Sequence, residues 1–138
     1  MSDLAKLQNP HTEERLRSEI MLWLSTVRPD GRPHLVPVWF LWDGETILVF
    51  SKPDQKIRNL RRNPNVVVSL DTAGQGDDIV LIEGHAELLS DPNIKTTLPT
   101  YAQKYAERLS SMGWTAEIMA KDYTQTIRIT PTKFIIGA

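Results

Sequence analysis

Short apolar runs bounded by turn signals dominate this chain, and helical spacing of apolar residues is confined to a few stretches. Near the start, Leu16, Ile20 and Trp23 recur at helical intervals. Thr12 suits an N-cap, and Glu13 and Glu14 suit a first turn, where the helix dipole favours negative charge. A helix from about Thr12 to Met21 is therefore expected. "WLSTVRPDGRPHLVPVWFLW" reads as a strand, a turn on Pro29-Asp30-Gly31, and a second strand. Asp43-Gly44 is a two-residue hairpin signal leading into "ETILVFS". A short helix spans about Asp54 to Asn63 and stops at Pro64, and "NVVVSLD" follows as a strand. "TAGQGDD" reads as a loop and "IVLIEGHAELL" as a long strand. "DPNIKTTLPTYAQKYAERLSSM" is helical with a break near Pro99, and a short helix, "TAEIMAKDY", precedes the last strand, "TIRITPTKFII".

About six strands, several joined by tight turns, imply an antiparallel sheet. In so short a chain, closure into a small barrel is the economical way to remove exposed edges. The expected class is mainly β (α+β): a six-stranded antiparallel barrel with peripheral helices. At 138 residues the chain is expected to form one domain, 1–138. It holds no apolar run near the ~20 residues of a membrane span. The polar, mixed-charge N-terminus does not resemble a targeting peptide, so a cytoplasmic protein away from membranes is expected. The absence of cysteine removes disulfides, thiolate nucleophiles and zinc-finger spacing. A pI near 6.3 argues against general nucleic-acid binding.

One local feature departs from this near-neutral balance. "FSKPDQKIRNLRRNPNVVVSL" carries five Lys/Arg and one Asp between two apolar runs. Lys52 and Lys56 fall where the helix begins, and cations there oppose the dipole by roughly 0.3–1 kcal/mol each when exposed. If Asp54 caps the helix, the amides of Gln55 to Ile57 remain unpaired. Free amides, a dipole and two ammonium groups suit a phosphate, with the Ser51 hydroxyl a further donor. The alternative is a solvated turn with ordinary surface lysines. Arg61 and Arg62 lie in the last turn, where their charge complements the dipole. No aromatic residues interleave with these charges, as single-stranded nucleic acid would favour.

Pro37 interrupts "HLVPVWFLW" and belongs at a sheet edge or a bulge, because it cannot donate to a ladder. There the backbone of Val38 to Phe40 would keep polar groups free for a planar ligand. Trp39 and Phe40 point to opposite faces, and both also fit a core or a subunit interface. His11, His34 and His85 have no metal-ligand spacing, and no metal site is expected. "GQGDD" lacks the lysine and helix of a phosphate-binding loop. Glu83 has no evident carboxylate partner, and no Ser–His–Asp set follows from spacing. Catalytic residues are unassigned, and any chemistry would belong to a bound cofactor.

The stretch "WLSTVRPDGRPHLVPVWFLWDGETILVFSKPDQKIRNLRRNPNVVVSLD" resembles the first half of the split-β-barrel flavin/deazaflavin oxidoreductases, the pyridoxamine 5′-phosphate oxidase-like superfamily. "PVWFLWDGE", "KIRNLRRNP", "GDDIVLIEGHAEL", "YAQKYAERL" and "IRITPTKF" are most similar to its coenzyme F-420-dependent subfamily. The likeness runs from about Leu16 to Phe134. It implies a homodimeric six-stranded split barrel with cofactors, coenzyme F-420 or FMN, in clefts between subunits. Carried over by position, it implies that Ser51, Lys52, Gln55 and Lys56 hold the cofactor phosphate. Pro37, Val38, Trp39 and Phe40 would then flank the ring. Oxidases acting on pyridoxine phosphate usually show "SRK" at the phosphate and an Arg-containing C-terminal motif; this chain has "KPDQK" and ends "KFIIGA". Trp114 stands where the resemblance leads one to expect a smaller or aliphatic residue, either narrowing the substrate side of the cleft or packing on a helix.

The resemblance implies an oxidoreductase moving a hydride between such a cofactor and a small conjugated substrate. A flavin- or tetrapyrrole-binding protein without turnover is the alternative, as is an FMN-dependent oxidase. Arg58, Arg61 and Arg62 are possible partners for the anionic tail of F-420.

Overall fold

The protein is described from a computed structural model over residues 9–70, 76–89, 100–101, 103–115 and 122–137. Its elements are α1 (Pro10–Ser18), β1 (Leu22–Val27), β2 (Pro33–Val38), β3 (Leu41–Trp42), β4 (Ile47–Ser51), α2 (Gln55–Arg62), β5 (Asn65–Leu70), β6 (Ile79–Leu89), α3 (Ala106–Ser111) and β7 (Gln125–Gly137). The strands form one antiparallel sheet in the order β2-β1-β5-β6-β7-β4-β3. The two edge strands, β2 and β3, are consecutive in sequence and joined only by Trp39-Phe40. The sheet must therefore curl until its edges meet at that link, which makes a split barrel. The strand count is seven where the sequence predicts six. "HLVPVWFLW" divides at Trp39-Phe40, because the polar backbone groups of Phe40 are bonded to side chains of the C-terminal region and not to a ladder.

Alternation along the strands separates two faces. Cross-strand rows such as Val36–Leu24–Val68–Ile82–Phe134 point inward. They join Leu22, Phe40, Ile47, Val49, Ile127 and Ile129 in the main core. The opposite rows, Pro37–Trp23–Ser69–Leu81–Ile135 and Leu35–Ser25–Val67–Glu83–Lys133, face outward. Glu83 accordingly lies on the exposed face, across from Lys133.

Helix α2 is fastened to this core by Ile57 and Leu60, both buried. Asn59, fully buried, donates from Nδ2 to Thr26 Oγ1 on β1 at 2.9 Å. Its Oδ1 accepts from Gln55 Nε2 at 2.7 Å. A helix pinned so near its start holds its N-terminus in one place.

Local corrections follow from side-chain bonds that compete with the expected ones. Helix α1 is capped by Asn9, whose Oδ1 accepts from His11 N (3.0 Å) and Thr12 N (3.2 Å); Thr12 lies buried inside the helix. Pro10 is tolerated at the first helical position because no intrahelical N–H is needed there. The helix ends at Ser18, where Glu19 turns extended, short of the expected Met21. In the β3–β4 hairpin the central residues are Gly44-Glu45, one position later than expected. Asp43 N donates to Thr46 O (3.1 Å), while the Asp43 carboxylate accepts from Glu45 N and Thr46 N. Gly44 takes φ of 100°, a region that favours glycine. Asp78, read as part of a polar loop, ties α1 to the start of β6. Its carboxylate meets His11 Nε2 at 2.9 Å, and its carbonyl accepts from the Arg15 guanidinium. The expected break near Pro99 and most of the helix at "TAEIMAKDY" lie outside the described residues.

Candidate functional site

Where β2 leaves the sheet, β4 ends and α2 begins, a cavity of about 480 Å³ opens against the C-terminal helical region. Small-molecule sites usually fall between roughly 300 and 1,000 Å³. Its apolar side is built by Pro37, Val38, Trp39, Phe50, Tyr101 and Trp114, and its polar end by Lys52, Asp54 and Lys56.

The aromatic side is a second small core of its own. Trp39 stacks on Tyr105 with ring centroids 4.3 Å apart and planes 3° apart. Tyr101 meets Phe50 edge-on at 4.6 Å and lies 5.0 Å from Tyr105. Trp114 and Tyr123 form a further edge-on pair at 6.1 Å, so Trp114 both packs locally and lines the cavity. Offset stacks and edge-on pairs are worth about 0.5–1.5 kcal/mol each beyond the area they bury. The result is a rigid wall of flat surfaces that can receive a flat ligand.

Tyr105 and Lys104 fix this wall to the barrel. The Tyr105 hydroxyl accepts from Phe40 N (2.9 Å) and donates to Ile20 O (2.6 Å). Burial pushes both this phenol and that of Tyr101 well above the usual tyrosine range. Lys104 Nζ donates to Phe40 O (2.8 Å) and sits 3.8 Å from the centroid of the Phe40 ring. Contrary to the sequence expectation, then, the backbone of Phe40 is not free for a ligand, and its side chain is fully buried in the main core.

These bonds carry two expectations. Tyr105→Phe leaves the Phe40 N–H and Ile20 C=O without this partner, so a loss of about 1–3 kcal/mol is expected in urea denaturation. For Lys104, burial lowers the pKa from 10.5 to about 8, opposed by the nearby Glu19 carboxylate. Between those values the unfolded chain holds the proton that the folded chain has released, so stability rises with pH. From pH 8 to 9.5, urea midpoints of the native protein should rise relative to those of Lys104→Met. Above about 10 the buried tyrosines lower the stability of both proteins, because the unfolded phenols ionise first, and the difference between the two levels off.

At the polar end, Lys52 is exposed and places Nζ 5.5 Å from the centroid of the Tyr123 ring. The side chain of Lys56 is only 12% exposed, and its Nζ contacts Asp54 Oδ2 at 2.6 Å. Asp54 stands at the N-cap position of α2 but makes no side-chain capping bond, contrary to the sequence expectation. Arg58 N is bonded to Asp54 O at 3.2 Å, and the amides of Gln55, Lys56 and Ile57 precede that bond at the helix start. His34 lies within electrostatic reach of Asp54 and Lys56; burial first, then the positive charges of Arg28 and Lys56, lower its pKa.

Of the residues expected at the site, Pro37, Val38, Trp39, Lys52 and Lys56 line the cavity. Phe40, Ser51 and Gln55 do not. The Ser51 hydroxyl, buried, donates to Lys52 O, and Gln55 bonds Asn59 and Arg58. The structure adds Phe50, Tyr101, Tyr123, Met21 and Met112 to the lining. The four-residue spacing of Tyr101 and Tyr105 in "YAQKY" was the available signal for the aromatic wall, since it puts both rings on one helix face. Among the described residues, no group of three or more His, Cys, Asp or Glu is arranged to hold a metal ion. No helix among them is long and apolar enough to cross a membrane.

The pyridoxamine 5′-phosphate oxidase family model matches residues 9–136. The chain belongs to that family. This pyridoxamine 5′-phosphate oxidase-like fold also recurs in solved structures. An F420 reductase is 28% identical, with a TM-score of 0.71, over 89% of this chain and 94% of that one. A FAD-binding protein from Mesorhizobium loti is 23% identical (TM-score 0.69), over 93% of this chain and 90% of that one. HutZ, the heme storage protein from Vibrio cholerae, is 18% identical (TM-score 0.72), over 94% of each chain. The last two likenesses concern the fold alone.

Proposed function

We propose that this family member is an oxidoreductase that binds coenzyme F-420 or FMN in the cavity between β2 and α2 and exchanges a hydride with a small conjugated substrate. The observation that carries this reading is the joining, in one cavity, of a stacked aromatic wall to a lysine pair at a helix N-terminus. Flat rings gain from the first and a phosphate from the second. The residues fit such a cofactor: Trp39, Phe50 and Tyr101 on the ring side, Lys52 and Lys56 on the phosphate side. A bound flavin or deazaflavin supplies two-electron hydride transfer; the chain supplies position, charge neutralisation and exclusion of water. The likeness to an F420 reductase supports the deazaflavin version. Arg58, Arg61 and Arg62, all exposed on α2, are available to an anionic tail beyond the phosphate.

The same reading includes a second copy of the chain on the outward sheet face. Trp23 (38% exposed), Leu35 (60%), Val67 (40%) and Ile135 (37%) give that face exposed apolar positions beside its polar ones. Its row through Trp23 runs into Pro37 at the cavity rim, so a copy seated there would border the cofactor. Sedimentation equilibrium should give the mass of two chains; a single-chain mass at all concentrations overturns the dimer.

Parallel titrations of the protein with FMN and F-420, followed by fluorescence, test the cofactor. Saturable binding of either supports the proposal, with preference deciding between deazaflavin and flavin chemistry. Binding of haem with neither of them would replace it by tetrapyrrole binding.

A further inference from the structure

Asp54 is an acidic residue inside the polar end of a cavity otherwise arranged for an anion. Its Oδ2 lies 2.6 Å from Lys56 Nζ, while its Oδ1 is buried without a hydrogen-bond partner. The carboxylate does not cap α2. It is therefore held mainly by one charged contact, and the cationic group it holds is the better buried of the two lysines at the site. An ammonium so enclosed can serve an incoming phosphate fully only when the carboxylate moves aside. If the carboxylate stays, phosphate and carboxylate repel each other at short range.

On the reading of the cavity as a phosphate-cofactor site, we propose that Asp54 masks Lys56 as an internal stand-in for the ligand's anion and so lowers the affinity of ligands that bind through a phosphate. Every ligand that uses Lys56 then meets the same penalty, because its apparent affinity falls with the fraction of sites already unmasked. A ring-bearing cofactor offsets that penalty by stacking on the aromatic wall. A bare phosphate has no such contribution and is kept out. The ratio of their affinities is unchanged, but each is lowered, so that at a given concentration a bare phosphate leaves the site empty while a ring-bearing cofactor still fills it.

Asp54→Asn and Asp54→Ser both keep an N-cap residue while removing the charge, so either folded variant suffices. Titrated with FMN, they should bind about tenfold more tightly than the native protein, the scale of a partly screened charge pair. Riboflavin, which lacks the phosphate, should bind all three proteins alike. Inorganic pyrophosphate should raise the melting temperature of the variants more than that of the native chain. Unchanged or weaker FMN binding in the variants overturns the masking role while leaving the cofactor reading intact. If no protein binds FMN or F-420, the cofactor reading falls. The pyrophosphate comparison then decides alone, with equal melting shifts refuting the role of Asp54 and larger shifts in the variants supporting it.

Discussion

Replacing Lys56 by alanine is expected to weaken FMN or F-420 binding by about 1.5–3 kcal/mol, the range for a hydrogen bond to a charged group. That corresponds to a loss of roughly ten- to hundredfold in affinity. The value should lie toward the upper end for two reasons. Lys56 is nearly enclosed, so bulk water screens its charge poorly. Its removal also strips Asp54 of its partner and leaves that carboxylate beside the phosphate position. Fluorescence titration of native protein and variant measures the change directly. Lys52→Ala should cost less, because Lys52 is exposed and its charge is diluted by solvent. Equal affinity of native protein and Lys56→Ala would place the phosphate elsewhere.

The largest expected loss of stability lies away from the cavity, at Gly84. A Cβ built there would stand 2.8 Å from Ile129 Cγ2 and 2.9 Å from the Thr130 carbonyl oxygen. The first neighbour can adjust only slightly within the core, and the second is backbone of the adjoining strand. The pairing of β6 with β7 shifts register at Glu83/Gly84, where Glu83 faces Lys133 but Gly84 faces Pro131. Thr132 is the extra residue of this bulge, and its Oγ1 donates to Glu83 O at 3.1 Å. Gly84→Ala is thus an overpacking change against immobile atoms, with an expected cost of about 2–3 kcal/mol. The midpoint of thermal unfolding should fall by roughly 5–10 °C. Gly137→Ala is the matched control, since its nearest neighbours are ordinary contacts at 3.6 and 3.7 Å. A Gly84→Ala protein melting with the native one would mean that β6 and β7 separate more easily than their long ladder implies. Because β4 hangs on β7, and Phe50 and Lys52 follow from β4, cofactor binding should fail together with folding in this variant.

Much of the architecture could be read from local pattern. Apolar runs bounded by turn signals in "NVVVSLD", "IVLIEGHAELL" and "TIRITPTKFII" mark β5, β6 and β7. The turn at Pro29-Asp30-Gly31 closes as expected, with Gly31 at φ of 89° and Gly31 N bonded to Arg28 O at 2.9 Å. Pro37, expected at an edge or a bulge, lies on the edge strand β2. Pro64 stopped α2 within a residue of the expected end. Each of these depends on the chemistry of one to five neighbouring residues, which the chain displays directly.

The candidate site divides along the same line. The positions of Lys52 and Lys56 beside a helix start are local facts, and the resemblance to flavin and deazaflavin barrels gave them a role. The partners of those lysines were not legible. Asp54 turns to Lys56 and does not cap α2, and no spacing rule distinguishes that choice from capping. Phe40 loses its free backbone groups to Lys104 and Tyr105, more than sixty residues away. The Trp39–Tyr105 stack spans a similar distance, and through it the edge strand acquires its aromatic wall.

By itself, then, the sequence determined the strands, the turns, the helix that carries the lysines and the edge that carries Pro37, because backbone preference and side-chain alternation act over a few residues. The tertiary structure alone decided the sheet order, the division of β2 from β3 and the aromatic wall. Those depend on which distant groups share a desolvated space, where an unpaired polar group or charge costs enough to override the local choice.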